Sequence, residues 1–303
     1  MAPAYSKENT TFKPNLSFKL TEGWGSALPM NDVNRQLESF NNNALFVYLR
    51  QYDPRTVIGA ITALDNQVDE WEAELRMDFS SHISLGIATA LPYRKTNEST
   101  LRYTIFGLDD QQVHDYTYRP TITVGAPVKF TVYYSPFSGS KFRVYINGGI
   151  GLYPANIEED RILAITFPLG DSGLTERHTD VEPMYPLGFH GVLELEYNLF
   201  KNLALVVEAQ GRYVKLTNFR GTNQFTVHEW SSTGELYNAV YWEDHGTLYY
   251  CTMEDPRLGA RYVDLRVWDK IPDVSVYFYR DIRKAKLDLS RFAIRIGLKL
   301  RLF

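Results

Sequence analysis

The sequence predicts an all-β chain that closes into an antiparallel, up-and-down transmembrane β-barrel of about eight strands. Its long extracellular loops are expected to carry one short helix. Three observations predict this. Long segments alternate apolar and polar residues with period two, as strand side chains do. Very short and very long connections alternate between those segments. The final stretch, Leu287 to Phe303, sets an apolar row against a cationic row.

The elements follow in order. Leu16, Phe18 and Leu20 alternate with Ser17, Lys19 and Thr21. Trp71, Ala73, Leu75, Met77 and Phe79 alternate with Glu70, Glu72, Glu74, Arg76 and Asp78. Ile83, Leu85, Ile87, Thr89 and Leu91 follow. Ile122 through Tyr134 reads as one run, with Val124, Val128, Phe130 and Val132 on a single face and Lys129 and Thr131 on the other. Phe142, Val144, Ile146, Ile150 and Leu152 oppose Arg143, Tyr145, Asn147, Gly149 and Gly151. Leu193, Leu195 and Tyr197 oppose His190, Glu194 and Glu196; Leu203, Leu205 and Val207 lead to Glu208, Gln210 and Arg212. The last run places Phe292, Ile294, Ile296, Leu298, Leu300 and Leu302 against Arg291, Arg295, Lys299 and Arg301.

Three joins are tight: Ser80 to His82, Pro136 to Ser140, and Phe200 to Asn202. The others are long loops, at about 25–67, 95–117, 155–186 and 219–286. A transmembrane barrel has this asymmetry, with short periplasmic turns and long outer loops. The whole chain, 1–303, is therefore read as a single barrel domain.

Composition narrows the class. The chain is 44% hydrophobic and 22% charged, which excludes disorder. Its 21 Tyr suit aromatic girdles, for which Trp24, Trp71, Tyr93, Tyr134, Tyr153 and Tyr213 are candidates. A net charge of −4 supplies no field for a polyanion, so no nucleic acid is expected as partner. One cysteine, Cys251, excludes an internal disulfide framework and reads as a small buried apolar residue. No apolar run is long enough for a membrane helix. Residues 1–5 lack a charged or apolar leader, as expected if the signal peptide has been removed.

The polar faces point to a plugged interior. They carry small residues, such as Gly86, Ala88, Ala90, Gly149 and Gly151, which a narrow lumen needs. Their charges are balanced. Glu70, Glu72, Glu74, Glu194, Glu196 and Glu208 are expected to pair with Arg143, Arg212, Arg291, Arg295, Lys299 and Arg301. Buried charges persist when paired and hydrogen-bonded.

The loops hold two further candidates. Pro29 to Phe40 reads as a helix with Asn31 or Asp32 as N-cap, closing one mouth of the barrel through Val33, Leu37 and Phe40. Tyr237 to Trp242 and Thr247 to Cys251 read as a hairpin turning at Glu243 to Gly246 and extending the sheet beyond the bilayer. Its aromatics, with Trp230, define a contact surface of Trp230, Tyr237, Tyr241, Trp242, Tyr249 and Tyr250. Packing among the loops themselves would use the same residues.

No sequence motif for catalysis is present: no GxSxG, HExxH or phosphate loop. His228 lies three residues before Ser231 without an evident orienting group. His190 stands beside Glu194 on the inward face and reads as part of the lumen network. Glu243, Asp244 and His245 read as turn residues rather than metal ligands. The expectation is a non-enzymatic protein with no cofactor and no metal.

The last strand, from Arg291 to Phe303, resembles those of small eight-stranded outer-membrane barrels related to outer-membrane protein A and OmpW. The run Gly148 to Tyr153 and the hairpin Leu193 to Leu205 are similar to such barrels as well. The resemblance implies a place in the outer membrane of a Gram-negative-type envelope, with the lipid bilayer and the barrel-assembly machinery as partners. Family chains end in an aromatic residue read by that machinery, and Phe303 occupies this place as assembly signal. The preceding apolar positions fall one residue early, on Leu302, Leu300 and Leu298. The implied role is that of an envelope structural protein, or of an anchor whose extracellular loops contact a protein partner. The alternatives are an OmpW-like passage for small hydrophobic molecules and a lipid-modifying outer-membrane enzyme.

Overall fold

The structure is a computed structural model, and it describes residues 14–29, 31–41, 49, 53–106, 111–255, 260–272 and 279–302. Eight strands form a closed barrel. They are β1 (Asn15–Gly25), β2 (Glu70–Asp78), β3 (Ile83–Ala90), β4 (Val128–Ser138), β5 (Phe142–Leu152), β6 (Leu187–Asn198), β7 (Leu203–Tyr213) and β8 (Arg291–Arg301). Every pair is antiparallel between chain neighbours, and β1 closes on β8, so the topology is up-and-down.

The alternation seen in the sequence becomes the two faces of this wall. On β2, Trp71, Leu75 and Met77 face outward, while Glu70, Glu72, Glu74, Arg76 and Asp78 are buried inside. Phe130, Val132, Ile146, Leu193, Phe292 and Ile294 continue the outer apolar surface. Such a surface is stable only against lipid, where each large side chain gains roughly 1.5–3 kcal/mol over exposure to water. The closed ladder leaves no unpaired edge within that belt. The fold is that of a transmembrane β-barrel.

The tight joins are short hairpins. Phe79 N–H donates to Ile83 O (3.0 Å), Gly139 N–H to Phe142 O (2.8 Å) and Leu199 N–H to Leu203 O (3.0 Å).

The long joins are not loops. At the opposite end of the barrel they form a second, ten-stranded sheet. Its main path runs Ala260–Trp268, Leu236–Asp255, Phe219–Trp230, Ser172–Pro183, Ala155–Thr166, Gln111–Val124, Ser99–Phe106 and Val57–Gly59. The regions at 95–117, 155–186 and 219–286 are thus largely strand. Here the patterning inverts. Leu101, Tyr118, Ile122, Val124, Ile157, Val181, Phe219, Leu248 and Leu265 are buried in a common apolar core. Below, the apolar side faces out; above, it faces in.

The change of solvent explains where the sequence misleads. Ile122 to Tyr134 is two strands, not one run. Ile122 and Val124 point inward, whereas Phe130 and Val132 point outward. The inward parity slips across Gly125, Ala126 and Pro127, where no strand is formed. A similar slip follows β7 at Asn218, whose φ of 61° is left-handed. Asn is among the few residues that tolerate that conformation.

Three further expectations are corrected. Glu243 to Gly246 does not turn. It lies within the continuous strand Leu236–Asp255, where Glu243 faces Gln224 and Gly246 faces Gly221 on Phe219–Trp230. The polar run reads as a turn in sequence, but unbroken cross-strand pairing carries it. Tyr153, 1% exposed, belongs to the inner core rather than the girdle, and Tyr93 packs against the same core. Inward parity continues from β5 into Ala155–Thr166, which places the Tyr153 ring inside. Trp24, Trp71, Tyr134 and Tyr213 do face outward.

The helix α1 spans Asp32–Asn41. Asn31 caps it, accepting the Asn34 N–H through Oδ1 (2.8 Å). Val33 and Leu37 are buried in the upper core, and the Phe40 ring stacks on Tyr116 at 4.8 Å. Its neighbours are Ala260–Trp268 and Lys286–Asp288, so it fills the cup of the second sheet. Asp32 fastens it there, accepting from both Nη atoms of Arg283 at 2.7 Å.

Candidate functional site

The barrel lumen is packed with ion pairs that form layers along its axis. Nearest the short turns, Glu196 pairs with Lys299 (2.9 Å) and with Arg301. Asp78 accepts from the Ser84 hydroxyl at 2.6 Å.

The middle layer is the most enclosed. Lys19 is paired with Glu74 (2.8 Å), Glu194 (3.2 Å) and Glu208. Arg76 donates from Nη1 and Nη2 to the two oxygens of Glu194, at 2.7 and 2.5 Å, and from Nε to Glu74 at 2.9 Å. The Tyr133 hydroxyl donates to Glu74 at 2.6 Å. The Arg76 guanidinium also lies 3.6 Å from the Tyr133 ring centre, a cation–π contact. These ionic side chains are at most 1% exposed.

Above it, Glu72 pairs with Arg295 (2.5 Å) and Lys129, and Arg295 also reaches Glu208 (2.5 Å). At the rim Glu70 pairs with Arg212 (2.7 Å) and lies 3.8 Å from Arg291. His190 Nε2 sits 2.8 Å from the Thr131 hydroxyl.

The structure thus brings together Glu70, Glu72, Glu74, Glu194, Glu196, Glu208, Arg212, Arg291, Arg295, Lys299 and Arg301. Arg143 stands apart: its hydrogen bond goes to the Tyr145 hydroxyl at 3.5 Å. Sequence reasoning placed Lys19, Arg76 and Lys129 on polar faces but not among the ion pairs, although they join its centre. Their inward parity was the signal. The crowding is real, since a Cβ at Gly86 would fall 2.9 Å from a Glu74 oxygen and 3.0 Å from the Tyr133 ring.

The upper sheet holds a second buried polar cluster, which the sequence did not reveal. Asp264 is within 2.9 Å of Arg161, 3.6 Å of Arg177 and 2.7 Å of Arg266. Gln36 of α1 donates to it at 3.0 Å. Burial alone would raise the Asp264 carboxyl, but the three guanidinium groups hold it well below the usual carboxylate range. Tyr118 donates to Glu159, and burial followed by that carboxylate pushes its phenol far up. The signal was invisible because these partners come from strands far apart in sequence.

The expected contact surface is only partly a surface. Tyr237 and Tyr241 are 62% and 59% exposed. Trp242 is exposed but stacks on Phe225 at 4.0 Å. Trp230, Tyr249 and Tyr250 are half-buried. Tyr249 packs against Trp268 (5.7 Å), and Tyr250 carries the Arg283 guanidinium at 3.9 Å. Cys251 is fully buried, and Phe303, the expected assembly signal, lies outside the described residues.

No protein-family model matches the sequence, and no curated protein does. The fold is similar to the crystal structure of the outer membrane protein OprG from Pseudomonas aeruginosa. The match has 11% identity and a TM-score of 0.37 and covers 95% of each chain. A Pseudomonas aeruginosa FadL homologue aligns at 6% identity with a TM-score of 0.20, covering 95% of this chain and 90% of that one.

Proposed function

We propose that the protein is a non-enzymatic outer-membrane anchor: a plugged barrel that holds a rigid extracellular sheet where it can contact a partner protein. The carrying observation is the middle lumen layer, in which Lys19, Arg76, Glu74, Glu194 and Glu208 fill the cross-section and are all but inaccessible. A continuous aqueous path would expose these groups. The outer face of the second sheet supplies the contact surface through Tyr237 and Tyr241. The bilayer itself and the assembly machinery are the partners that the barrel requires.

Ser231 and His228, the Ser–His proximity noted in the sequence, are engaged elsewhere. Ser231 hydrogen-bonds with Thr233 (2.8 Å), and His228 packs against Trp230 (5.7 Å). Among the described residues no group of three metal-ligating side chains gathers.

A second reading, passage of small apolar molecules, is favoured by one feature. Outward-facing Gly191 and Gly211 are cross-strand neighbours, and with Phe189, Tyr213 and Phe292 they leave a groove of about 370 Å³ in the apolar wall. Planar-bilayer recording separates the readings. The anchor gives no stepwise conductance and no uptake of an apolar dye by proteoliposomes. Dye uptake abolished by Gly211→Leu would replace the anchor with the passage.

A further inference from the structure

Among the described residues, the second sheet ends in an unprotected edge. Leu236–Asp255 pairs with Phe219–Trp230 on one side, from Leu236 to Thr247. On the other side Ala260–Trp268 begins only at Thr247 and runs to Asp255. Among the described residues, Leu236 to Gly246 therefore has a neighbour on one side alone. Its free side presents a row of backbone N–H and C=O groups that no strand of the described residues receives.

Proteins normally blunt such an edge with lysine, proline, a bulge or a covering loop. No Lys, Arg or Pro occurs between Leu236 and Gly246, and the one register shift lies at its start, opposite Glu229 and Trp230. The segment instead exposes Leu236, Tyr237, Val240, Tyr241 and Trp242, on both of its faces. These faces differ. Val240 and Trp242 share the parity of buried Leu248, and Trp242 stacks on Phe225, so this is the cup-facing apolar side; the register shift opposite Glu229 and Trp230 turns Leu236 to the other face. Tyr237, Tyr241 and Glu243 lie on the outside, where the Tyr241 hydroxyl donates to Glu243 at 3.0 Å. Glu235 stands exposed at the start of the segment.

We propose that this edge takes an extended segment of a partner protein as an added strand. The backbone row supplies the hydrogen bonds, and the alternating faces supply the specificity. The incoming strand carries apolar side chains toward Val240 and Trp242. It carries basic side chains toward Glu243 on the outer face, matched by charge. This rests on the reading of the second sheet as a contact surface and states how that contact is made.

The test uses the whole protein in detergent micelles and an acetylated, amidated, fluorescein-labelled decapeptide of alternating Val and Lys. Its control is the same peptide N-methylated at alternate residues, which lacks the donors on one edge. Anisotropy is expected to show at least tenfold tighter binding of the unmethylated peptide. Hydrogen exchange is expected to slow at amides within 237–245 in the complex. A Val240→Lys variant, which puts a cation on the apolar side, is expected to weaken binding at least tenfold. Equal affinity for the two peptides overturns strand addition while the aromatic contact surface stands. Absence of binding, or binding without protection of 237–245, overturns strand addition as well. A dimer in sedimentation that protects 236–246 without peptide assigns the edge to a second copy and also overturns it. The contact reading itself fails separately if Tyr237→Ala with Tyr241→Ala leaves partner recruitment in native membranes unchanged.

Discussion

Arg76 on β2 and Glu194 on β6 meet across the lumen in a two-pronged pair at 2.7 and 2.5 Å. Their strands are not neighbours in the barrel. The pair therefore acts as a strut between opposite walls, and each partner also contacts a second charge, Glu74 or Lys19.

Removing one end of the strut leaves a buried charge without its counterpart, which costs about 3–5 kcal/mol. Glu194→Ala is expected to lower the urea midpoint of the heat-modifiable gel band accordingly. Glu194→Gln keeps part of the hydrogen bonding and is expected to lose less. An unchanged midpoint for Glu194→Ala would show that the strut is not energetically coupled to barrel closure.

The two halves of the molecule are expected to respond unequally to the same substitution. Ile87 faces lipid midway along β3, where an arginine costs about 2–4 kcal/mol. Ile162 faces outward on the upper sheet, where water is the solvent, and an arginine there is expected to change stability by less than about 0.5 kcal/mol. Folding yield into lipid vesicles and urea midpoints measure both. Comparable losses would contradict the assignment of bilayer and water to the two halves.

How much of this was legible follows from those solvents. On β2 and β8 a single alternation persists over the whole strand, so Glu72 and Arg295 could be placed inside from sequence alone. At Ile122 to Tyr134 the alternation also persists, but its meaning reverses at Gly125 to Pro127, and period-two reasoning has no term for a change of surroundings. The Asp264 cluster was illegible for another reason. Arg161 and Asp264 are inward residues of an apolar cup, and only tertiary pairing shows that they meet. The run Glu243 to Gly246 shows local turn chemistry overridden by cross-strand pairing.

Asp264 makes the upper sheet sensitive to acid. Its folded carboxyl titrates below its unfolded value of about 3.9, so the stability that it contributes is fully present above that pH and is lost as pH falls through the folded value. Asp264→Asn leaves Arg161, Arg177 and Arg266 without their shared anion. Faster hydrogen exchange is expected in Ala155–Thr166 and Ser172–Pro183, with the barrel amides unchanged. Exchange equal to that of the parent protein in these strands would remove the cluster from the account of stability.

Cys251 gives a test at the other end of the pH scale. Burial, with Asp264 nearby, pushes its thiol up to about 12. The unfolded thiol titrates near 8.5, so unfolding releases a proton above that pH. Stability from this group is complete below about 8.5 and declines as pH rises toward 12, by at most about 1.4 kcal/mol per pH unit. Iodoacetamide at pH 8 is expected to modify the native protein more than ~100-fold more slowly than the urea-unfolded chain. Equal rates would place the thiol at the surface.

The inversion at the rim also fixes what surroundings the chain needs. Mean hydropathy is −0.29, a value that hides both an oily wall and a wet one, because the two halves cancel. No single compartment satisfies both. In water the barrel segments would aggregate through Phe130, Val132 and Leu193, and in lipid the charged exterior of the cup would be stranded. The two walls therefore need two surroundings at once: lipid around the barrel and water around the cup, with the boundary between them at the rim where the parity slips.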